Sequence, residues 1–189
     1  MAELAKTNLF TASQIARFCQ VDLKTIHNWA DRGEIQHFRT PGRHLRFRHA
    51  DVLDFLRKYG YPIPGEVQTT RPRIGLMVTD AKVRDAVCRE LADGFDVDAY
   101  ADGVAALLQI GQQPPDAVVL GPNVGPFNGS EIIAALKRSG NTQHVRAVVF
   151  TDGDANKEDA LQAGASAYVH SSDIDGLRDT LEALMGVRR

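Results

Sequence analysis

The sequence has only two cysteines, a single tryptophan and no long hydrophobic run. Cys19 and Cys88 lie far apart within apolar helical patterns, which predicts buried reduced thiols rather than the disulfide framework of a small secreted protein. The longest apolar runs, such as 147–150, are far shorter than the about 20 residues of a membrane-spanning helix. The N-terminal segment also lacks the apolar core of a signal peptide. We therefore expect a cytoplasmic protein that does not contact a membrane.

The remaining composition is typical of a globular protein, with 43% hydrophobic and 24% charged residues in 189. The charge is unevenly distributed. Residues 1–71 contain 11 basic and 7 acidic side chains, a net charge of +4, whereas residues 72–189 contain 11 and 17, a net charge of −6. Such a basic part favours a polyanionic partner, although a solvated charged loop has the same composition.

Prolines and glycines between these parts interrupt every periodic pattern. This predicts a domain over 1–60, a partly extended linker over 61–72, and a second domain over 73–189.

The first domain begins with a helix-turn-helix pattern. Thr11 and Gln14 have the spacing of a capping box, which predicts a helix from about residue 12. Asp22 can cap a second helix over about 23–32, and Gly33 can end it. At helical periodicity one face is apolar and predicted to pack, namely Leu23, Ile26, Trp29 and Ala30. The opposite face carries Lys24, Asn28 and Arg32.

A second helix of this kind can enter the major groove of DNA, where Asn pairs with adenine and Lys reaches guanine or a phosphate. A solvated surface helix remains the alternative. The segment after it predicts a hairpin, with a turn at 40–43 and a strand at 44–48. In that strand Leu45 and Phe47 alternate with basic residues, so a cationic exposed face is expected. A third helix over 49–59 would turn Val52, Leu53, Leu56 and Tyr59 inward.

The segments 10–16, 21–30, 33–35 and 39–47 resemble the small MerR-like and excisionase-like winged helix-turn-helix domains, especially the BldC-like group. The resemblance implies that the second helix lies in the major groove and that the wing arginines hold the phosphate backbone. The candidate DNA-binding residues are Lys24, Thr25, His27, Asn28, Arg32, Arg39, Thr40, Arg43, His44, Arg46 and Arg48. No long dimerisation helix and no cysteine metal loop follows the wing. The histidines also lack the spacing of a zinc site, so no metal is expected.

Beyond residue 73, apolar strand-like runs alternate strictly with amphipathic helices. The strands are predicted at 74–78, 95–100, 117–120, 147–150 and 167–169, and the helices at about 81–93, 103–112, 129–139, 154–163 and 173–185. Strict alternation predicts a parallel sheet covered on both faces, with the flavodoxin-like strand order 2-1-3-4-5. The fold class is thus a small, mainly α winged helix-turn-helix followed by a doubly wound five-stranded α/β domain.

The segments 78–80, 115–120, 128–129, 150–151 and 160–168 resemble response-regulator receiver domains. Receivers bind Mg²⁺ through carboxylates, and one of their own aspartates accepts a phosphoryl group. A hydroxyl and a lysine then neutralise the phosphoryl oxygens. The matching positions here are Thr79, Asp80, Gly121, Thr151 and Ser171. Gly121 stands at the acceptor position and has no side chain, so the resemblance implies a degenerate receiver. The stiff apolar loop 121–127 could accept a ligand, a partner loop or nothing.

These patterns predict a bacterial transcription regulator that binds double-stranded DNA, forms a homo-oligomer and needs no cofactor. Its second domain would oligomerise or sense a ligand or partner without phosphorylation, and it would lie with the nucleoid. An architectural nucleoid protein remains an alternative. So does an adaptor whose receiver-like domain docks a signalling partner. An enzyme is least favoured, because no nucleophile with a base, metal cluster or glycine-rich phosphate loop is present.

Overall fold

The computed structural model describes residues 9–68, 71–122, 124, 127–153 and 157–187. It divides the chain into two compact units, Met1–Arg71 and Pro72–Arg189, called the head and the body below. Most of the segment predicted as a linker therefore belongs to the head.

Over residues 9–68 the head combines three short strands with four helices. Its elements are β1 (Leu9–Thr11), α1 (Ala12–Cys19), α2 (Leu23–Asp31), β2 (Phe38–Arg39), β3 (Leu45–Arg48), α3 (His49–Lys58) and α4 (Gly65–Gln68). The strands form an antiparallel sheet in the order β1-β3-β2, with Phe10 opposite Phe47 and Phe38 opposite Arg46. The sequence analysis did not predict β1, because three residues are too few to show an alternating pattern.

The predicted helix caps are confirmed. The Thr11 side chain accepts the amide of Gln14, whose side chain in turn accepts the amide of Thr11, so both halves of the capping box are present. Asp22 caps α2 by accepting the amide of Thr25 at 2.7 Å. Gly33, just after α2, has a φ of 71°, a left-handed conformation that glycine adopts without strain.

The core of the head contains the apolar residues that helical and strand periodicity select. Ile15, Ile26, Phe47 and Leu56 are completely buried. Burial also raises the pKa of the Cys19 thiol to about 11, so this cysteine is a protonated core residue; both cysteines are free. The prediction that Leu23 and Tyr59 pack inward is wrong, because they are 46% and 45% exposed. Each lies at a helix end, beyond the turns that pack, where periodicity no longer determines burial.

The segment 61–68 packs against the head and is not the extended linker predicted for it. Val67, in α4, is 1% exposed within the head core, and the ring of Tyr61 stacks on Phe55 with centroids 6.1 Å apart. His49 Nε2 donates to the carbonyl of Val67 at 2.6 Å. Glu66 pairs with Arg17 at 2.5 Å. The prolines predicted an open chain here. Instead, Tyr61 and Val67 contact Phe55 and His49 of α3, so the segment is packed.

The body is a five-stranded parallel sheet with helices between its strands. Its strands are β4 (Arg73–Met77), β5 (Asp96–Tyr100), β6 (Ala117–Leu120), β7 (Arg146–Thr151) and β8 (Ala167–His170). Its helices are α5 (Ala81–Leu91), α6 (Gly103–Gln112), α7 (Gly129–Arg138), α8 (Lys157–Gln162) and α9 (Ile174–Met185). The observed order β5-β4-β6-β7-β8 confirms the predicted 2-1-3-4-5 arrangement. Residues 154–156 of the helix predicted at 154–163 lie outside the described residues.

Packing between α5 and α9 includes one nearly buried cation. Arg178, 9% exposed, donates to the carbonyl and carboxylate of Glu90 and to the carboxylate of Glu182, at 2.8 to 3.1 Å. These acceptors raise the pKa of Arg178 and satisfy a charge that would otherwise be costly to bury. No helix among the described residues is long and apolar enough to span a membrane.

We predict that Val67→Ala destabilises the head by about 2 kcal/mol, because two buried methyl groups are lost. Trp29, the only tryptophan, packs on Phe55 and Tyr61, so its fluorescence reports the unfolding of the head within the full chain. Urea unfolding followed by this fluorescence measures the change. Glu66→Ala is the control: its ion pair is half exposed and should contribute less than about 1 kcal/mol. Equal effects of both substitutions would contradict a packed segment.

Candidate functional site

The outward surface of α2 is polar, as the periodicity predicts. Lys24, Asn28 and Arg32 are exposed, while Thr25 and His27 are half-buried on their flanks. Ile26 and Ala30 hold the opposite face in the core. Arg32 lies 3.8 Å from Glu34, a distance at which an exposed pair contributes little. The polar face of α2 is therefore exposed, and a weak ion pair at Arg32 is the contact described for it.

The wing is a tight hairpin between β2 and β3. Thr40 N donates to the carbonyl of His44 at 3.0 Å, and Arg43 N donates to the carbonyl of Thr40 at 2.7 Å. His44 N also donates to the Thr40 hydroxyl at 3.3 Å. Arg43 has a φ of 60°, an uncommon conformation for a residue with a Cβ. Its backbone hydrogen bond fixes this conformation, and the side chain is exposed at the turn.

One ion pair joins the wing to α2. Arg39 Nη2, on β2, lies 3.1 Å from Asp31 Oδ1 at the end of α2, and Arg39 Nη1 donates to the carbonyl of Arg43. The structure therefore brings the wing and the predicted recognition helix together. It also means that the Arg39 guanidinium, predicted to contact phosphate, already has acceptors within the head.

The other two wing arginines are less exposed than the alternating pattern predicts. Arg48 lies over the ring of Phe38, 4.8 Å from its centroid, and 3.8 Å from Asp51 Oδ2; its side chain is 17% exposed. The prediction of an exposed Arg48 is therefore wrong, because α3 supplies a carboxylate beside the end of β3. Arg46 is half-buried and donates to the carbonyl of Leu45 at 2.9 Å. Among the predicted DNA-binding cations, Lys24 and Arg32 on α2, Arg39 on β2 and Arg43 at the turn of the wing are exposed.

Leu23 is a surface residue that the sequence analysis did not include in the site. It is the first residue of α2 and is 46% exposed, next to Lys24 and five residues before Asn28. An exposed leucine at the start of such a helix could contact a thymine methyl group in the major groove. The sequence did contain a signal for this exposure. Leu23 directly follows the Asp22 cap, and the first residue of a helix projects beyond the turns that pack.

The body has a second candidate site, at the carboxyl ends of β4, β6, β7 and β8. Thr79 and Asp80 follow β4, and both are exposed. The Asp80 carboxylate accepts the amides of Lys82 and Val83 at 2.8 and 3.1 Å, so it serves as the N-cap of α5. Within the described part of the chain no three His, Cys, Asp or Glu side chains are grouped as metal ligands.

Gly121, directly after β6, has no room for a side chain. A Cβ at this position would lie 2.9 Å from Val78 Cγ2 and 3.2 Å from the carbonyl oxygen of Met77. Val78 is 1% exposed, and Gly121 N donates to Met77 O at 2.9 Å, so both strands hold this close approach. The side chain of Val78 therefore fills the place where a side chain from position 121 would begin.

Thr151 and Ser171 lie at the ends of neighbouring strands. Ser171 N donates to the carbonyl of Thr151 at 3.2 Å, and the Tyr168 hydroxyl donates to the same carbonyl at 3.2 Å and to Gly153 O at 2.9 Å. These bonds join β7 to β8 through the backbone. In the loop predicted to cover this edge, Val124 is 3% exposed, and residues 123, 125 and 126 lie outside the described residues.

Arg84, which the sequence analysis did not consider, reaches the same edge from α5. Its Nη1 donates to the carbonyl oxygens of Val78 and Thr79 at 3.0 and 3.2 Å. A guanidinium at this position disfavours a divalent cation through like-charge repulsion. Mg²⁺ binds through several oxygen ligands, commonly including one or two carboxylates. With Asp80 used as a cap, Gly121 without a side chain and Arg84 against the β4 end, the residues present do not fit Mg²⁺.

Sequence comparisons match parts of the chain. Residues 9–60 match a family model described as a helix-turn-helix domain. The chain is also similar to the response regulator MprA of Mycobacterium sp. (strain KMS), 32% identical over 98 residues. That match covers 51% of this chain and 43% of the relative. MprA of Mycobacterium avium (strain 104) is 31% identical over the same length. The chain thus matches less than half of the length of these curated relatives.

Solved structures support the fold of the body. A two-component response regulator of the LuxR family from Aurantimonas sp. is 28% identical, with a TM-score of 0.56 over 64% of this chain and 89% of that chain. The receiver domain of a sensor histidine kinase from Pseudomonas aeruginosa, solved with magnesium in its active-site cleft, is 21% identical. Its TM-score is also 0.56, over 62% of this chain and 99% of that chain. The described body therefore has the flavodoxin-like receiver fold.

We predict that Gly121→Ala destabilises the body by about 1 to 3 kcal/mol, because Val78 and the β4 backbone leave no space for a methyl group. Calorimetry of the full chain measures this, and Trp29 fluorescence identifies which transition belongs to the head. Gly129→Ala serves as the matched control, since a Cβ there meets nothing within 4 Å. An alanine at 121 that leaves the body transition unchanged would contradict the close approach.

Proposed function

We propose that this protein is a DNA-binding transcription regulator whose receiver-like body acts without phosphorylation. The observation that carries the proposal is the exposed polar face of α2, Lys24, Asn28 and Arg32, held beside the wing by the Arg39–Asp31 pair. The helix-turn-helix match over 9–60 and the response-regulator relatives support it. A regulator of this kind would act in the cytoplasm, on the nucleoid.

In the proposed complex α2 enters the major groove. Residues near its N-terminal half would meet the base edges: Lys24 and Asn28 by hydrogen bonds, and Leu23 by apolar contact with a thymine methyl. Thr25, His27 and Arg32 flank them. The wing would follow the adjacent backbone, with Arg43, His44 and Thr40 at its turn and Arg46 behind them. Arg39 acts as a positioning residue, and Arg48 is left out of the contact set because α3 and Phe38 enclose it.

A head of this size buries limited surface on DNA, so useful affinity calls for two or more heads on one site. The body is the part of the chain available to bring copies together or to bind a signalling partner. Its site cannot form an aspartyl phosphate at position 121, where a glycine stands. We therefore assign the body to association or to sensing of a partner or ligand.

DNA binding by the full chain should depend strongly on salt. The logarithm of affinity against the logarithm of salt concentration should have a slope of roughly −4 to −6, reflecting about 5 to 6 neutralised phosphates. Arg43→Ala should reduce affinity for all sequences alike and make the slope less negative by about one. Arg138→Ala, which removes an exposed arginine from α7, is the matched control and should change neither quantity. Fluorescence anisotropy with labelled duplexes measures both.

Asn28→Ala tests the groove assignment in the same assay. It should lose discrimination at one base pair, worth about 1 to 3 kcal/mol, while the salt slope stays unchanged. The opposite pattern, with Asn28→Ala changing the slope and Arg43→Ala changing the preference, would refute this docking. Absence of any duplex binding by the full chain would instead favour the protein-interaction adaptor.

Acetyl phosphate with Mg²⁺ should leave the full chain without an aspartyl phosphate. The reason is that no carboxylate stands at 121 and that Arg84 faces the β4 end. Intact-mass measurement before and after acid treatment detects such an acyl phosphate. We expect Gly121→Asp to remain unmodified too, because Val78 occupies the space that its side chain needs. Stoichiometric, acid-labile phosphorylation of the wild-type chain would overturn this part of the proposal.

A further inference from the structure

The outer surface of α6 is exposed and carries no charge. Leu108 and Val104 are 67% and 46% exposed, the largest exposures among the apolar residues of this helix. They lie one helical turn apart, so they share one side of α6. The other exposed residues within the helix are also uncharged, and the complete set, called the uncharged α6 face, is Val104, Ala105, Leu108, Gln109, Gly111 and Gln112. The exposed carboxylate of Asp102, the N-cap of α6, lies at the N-terminal edge of this face and accepts the amide of Ala105 at 2.8 Å.

The other helices of the body differ from α6 within the described residues, because each exposes charged side chains. These are Lys82, Asp85 and Arg89 on α5, Glu131 and Arg138 on α7, Lys157, Glu158 and Asp159 on α8, and Asp175 and Asp179 on α9. On α9 both exposed charges are acidic. A symmetric contact through α9 would place the acids of two copies near one another.

The charge of the body makes this difference important for self-association. Residues 72–189 carry a net charge of −6, so two bodies repel each other at most approaches. An uncharged surface is the place where two copies can meet without desolvating an ion. Burial of exposed leucine and valine side chains then gives a favourable free energy. Ala105 and Gly111 are small, and a Cβ at Gly111 would meet nothing within 4 Å, so a second helix can approach closely.

We propose that the uncharged α6 face is the surface through which two copies of this chain associate. The contact is isologous: Val104 and Leu108 of one copy pack against the same residues of the other. The proposal rests on the assignment of the body to association in the proposed function, and it adds the surface that makes the contact.

Sedimentation equilibrium of the full chain without DNA tests the proposal. Wild-type protein should show a concentration-dependent dimer, and Leu108→Glu should weaken it at least tenfold by burying a carboxylate. Leu161→Glu is the matched control, because Leu161 is a 46% exposed leucine on α8 and receives the same charge. Circular dichroism of both variants verifies folding, which substitution at exposed positions should preserve.

A mixing experiment tests whether the contact is made between identical faces. Leu108→Glu and Leu108→Lys should each be monomeric alone, whereas an equimolar mixture should recover dimers through opposite charges across the contact. Recovery can be followed with one variant fluorescently labelled.

Three outcomes would overturn the proposal. A wild-type chain that stays monomeric at all concentrations rules out association. Loss of the dimer in Leu161→Glu but not in Leu108→Glu would place the contact at α8. Failure of the two Leu108 variants to pair would show that the faces do not meet symmetrically. None of these results depends on DNA binding, so each is distinguishable from failure of the DNA-binding part of the proposed function.

Discussion

Alternation along β3 fixes where the basic side chains of the head lie. Leu45 and Phe47 enter the core, and Phe47 is completely buried in the central strand of the three-stranded sheet. Arg46 and Arg48 must then lie on the opposite face. That face is not simply open to water, since Phe38 and Asp51 enclose Arg48. The alternation that orients both arginines therefore leaves them in different surroundings. Arg48 is enclosed by Phe38 and Asp51, whereas Arg46 is half-buried.

A comparable constraint shapes the carboxyl edge of the body. The close contact of Gly121 with Val78 joins β6 to β4 at the place where the receiver resemblance puts an acceptor aspartate. Arg84 bonds the carbonyls beside it, and Asp80 caps α5. The side chains of Asp80 and Arg84 are thus both hydrogen-bonded to the backbone of the body. Packing and internal hydrogen bonds therefore occupy this edge at the positions that the receiver resemblance assigns to phosphate chemistry.

Sequence periodicity located the body strands within about two residues at each end and gave the right sheet order, because buried parallel strands are continuous apolar runs between amphipathic helices. It also located the caps at Thr11 and Asp22, which depend only on local spacing. It missed α4 and the Arg39–Asp31 pair. Both depend on contacts between residues of different elements, and the same is true of Val78 opposite Gly121. Local patterns carry no information about such partners.

The proposed interactions of the two units differ in their physical origin, and this separates them experimentally. In the proposed complex the contacts of the head with a duplex are mainly ionic and weaken as salt is added, because each released counterion gains less entropy in a more concentrated salt solution. Contact through the uncharged α6 face removes apolar surface from water, and added salt does not oppose it; it also screens the repulsion between acidic bodies. High salt should therefore release DNA while leaving the protein dimer in place. A dimer that dissociated together with the DNA complex would have to depend on ion pairs, and such pairs are available on α5, α7 and α8 but not on α6.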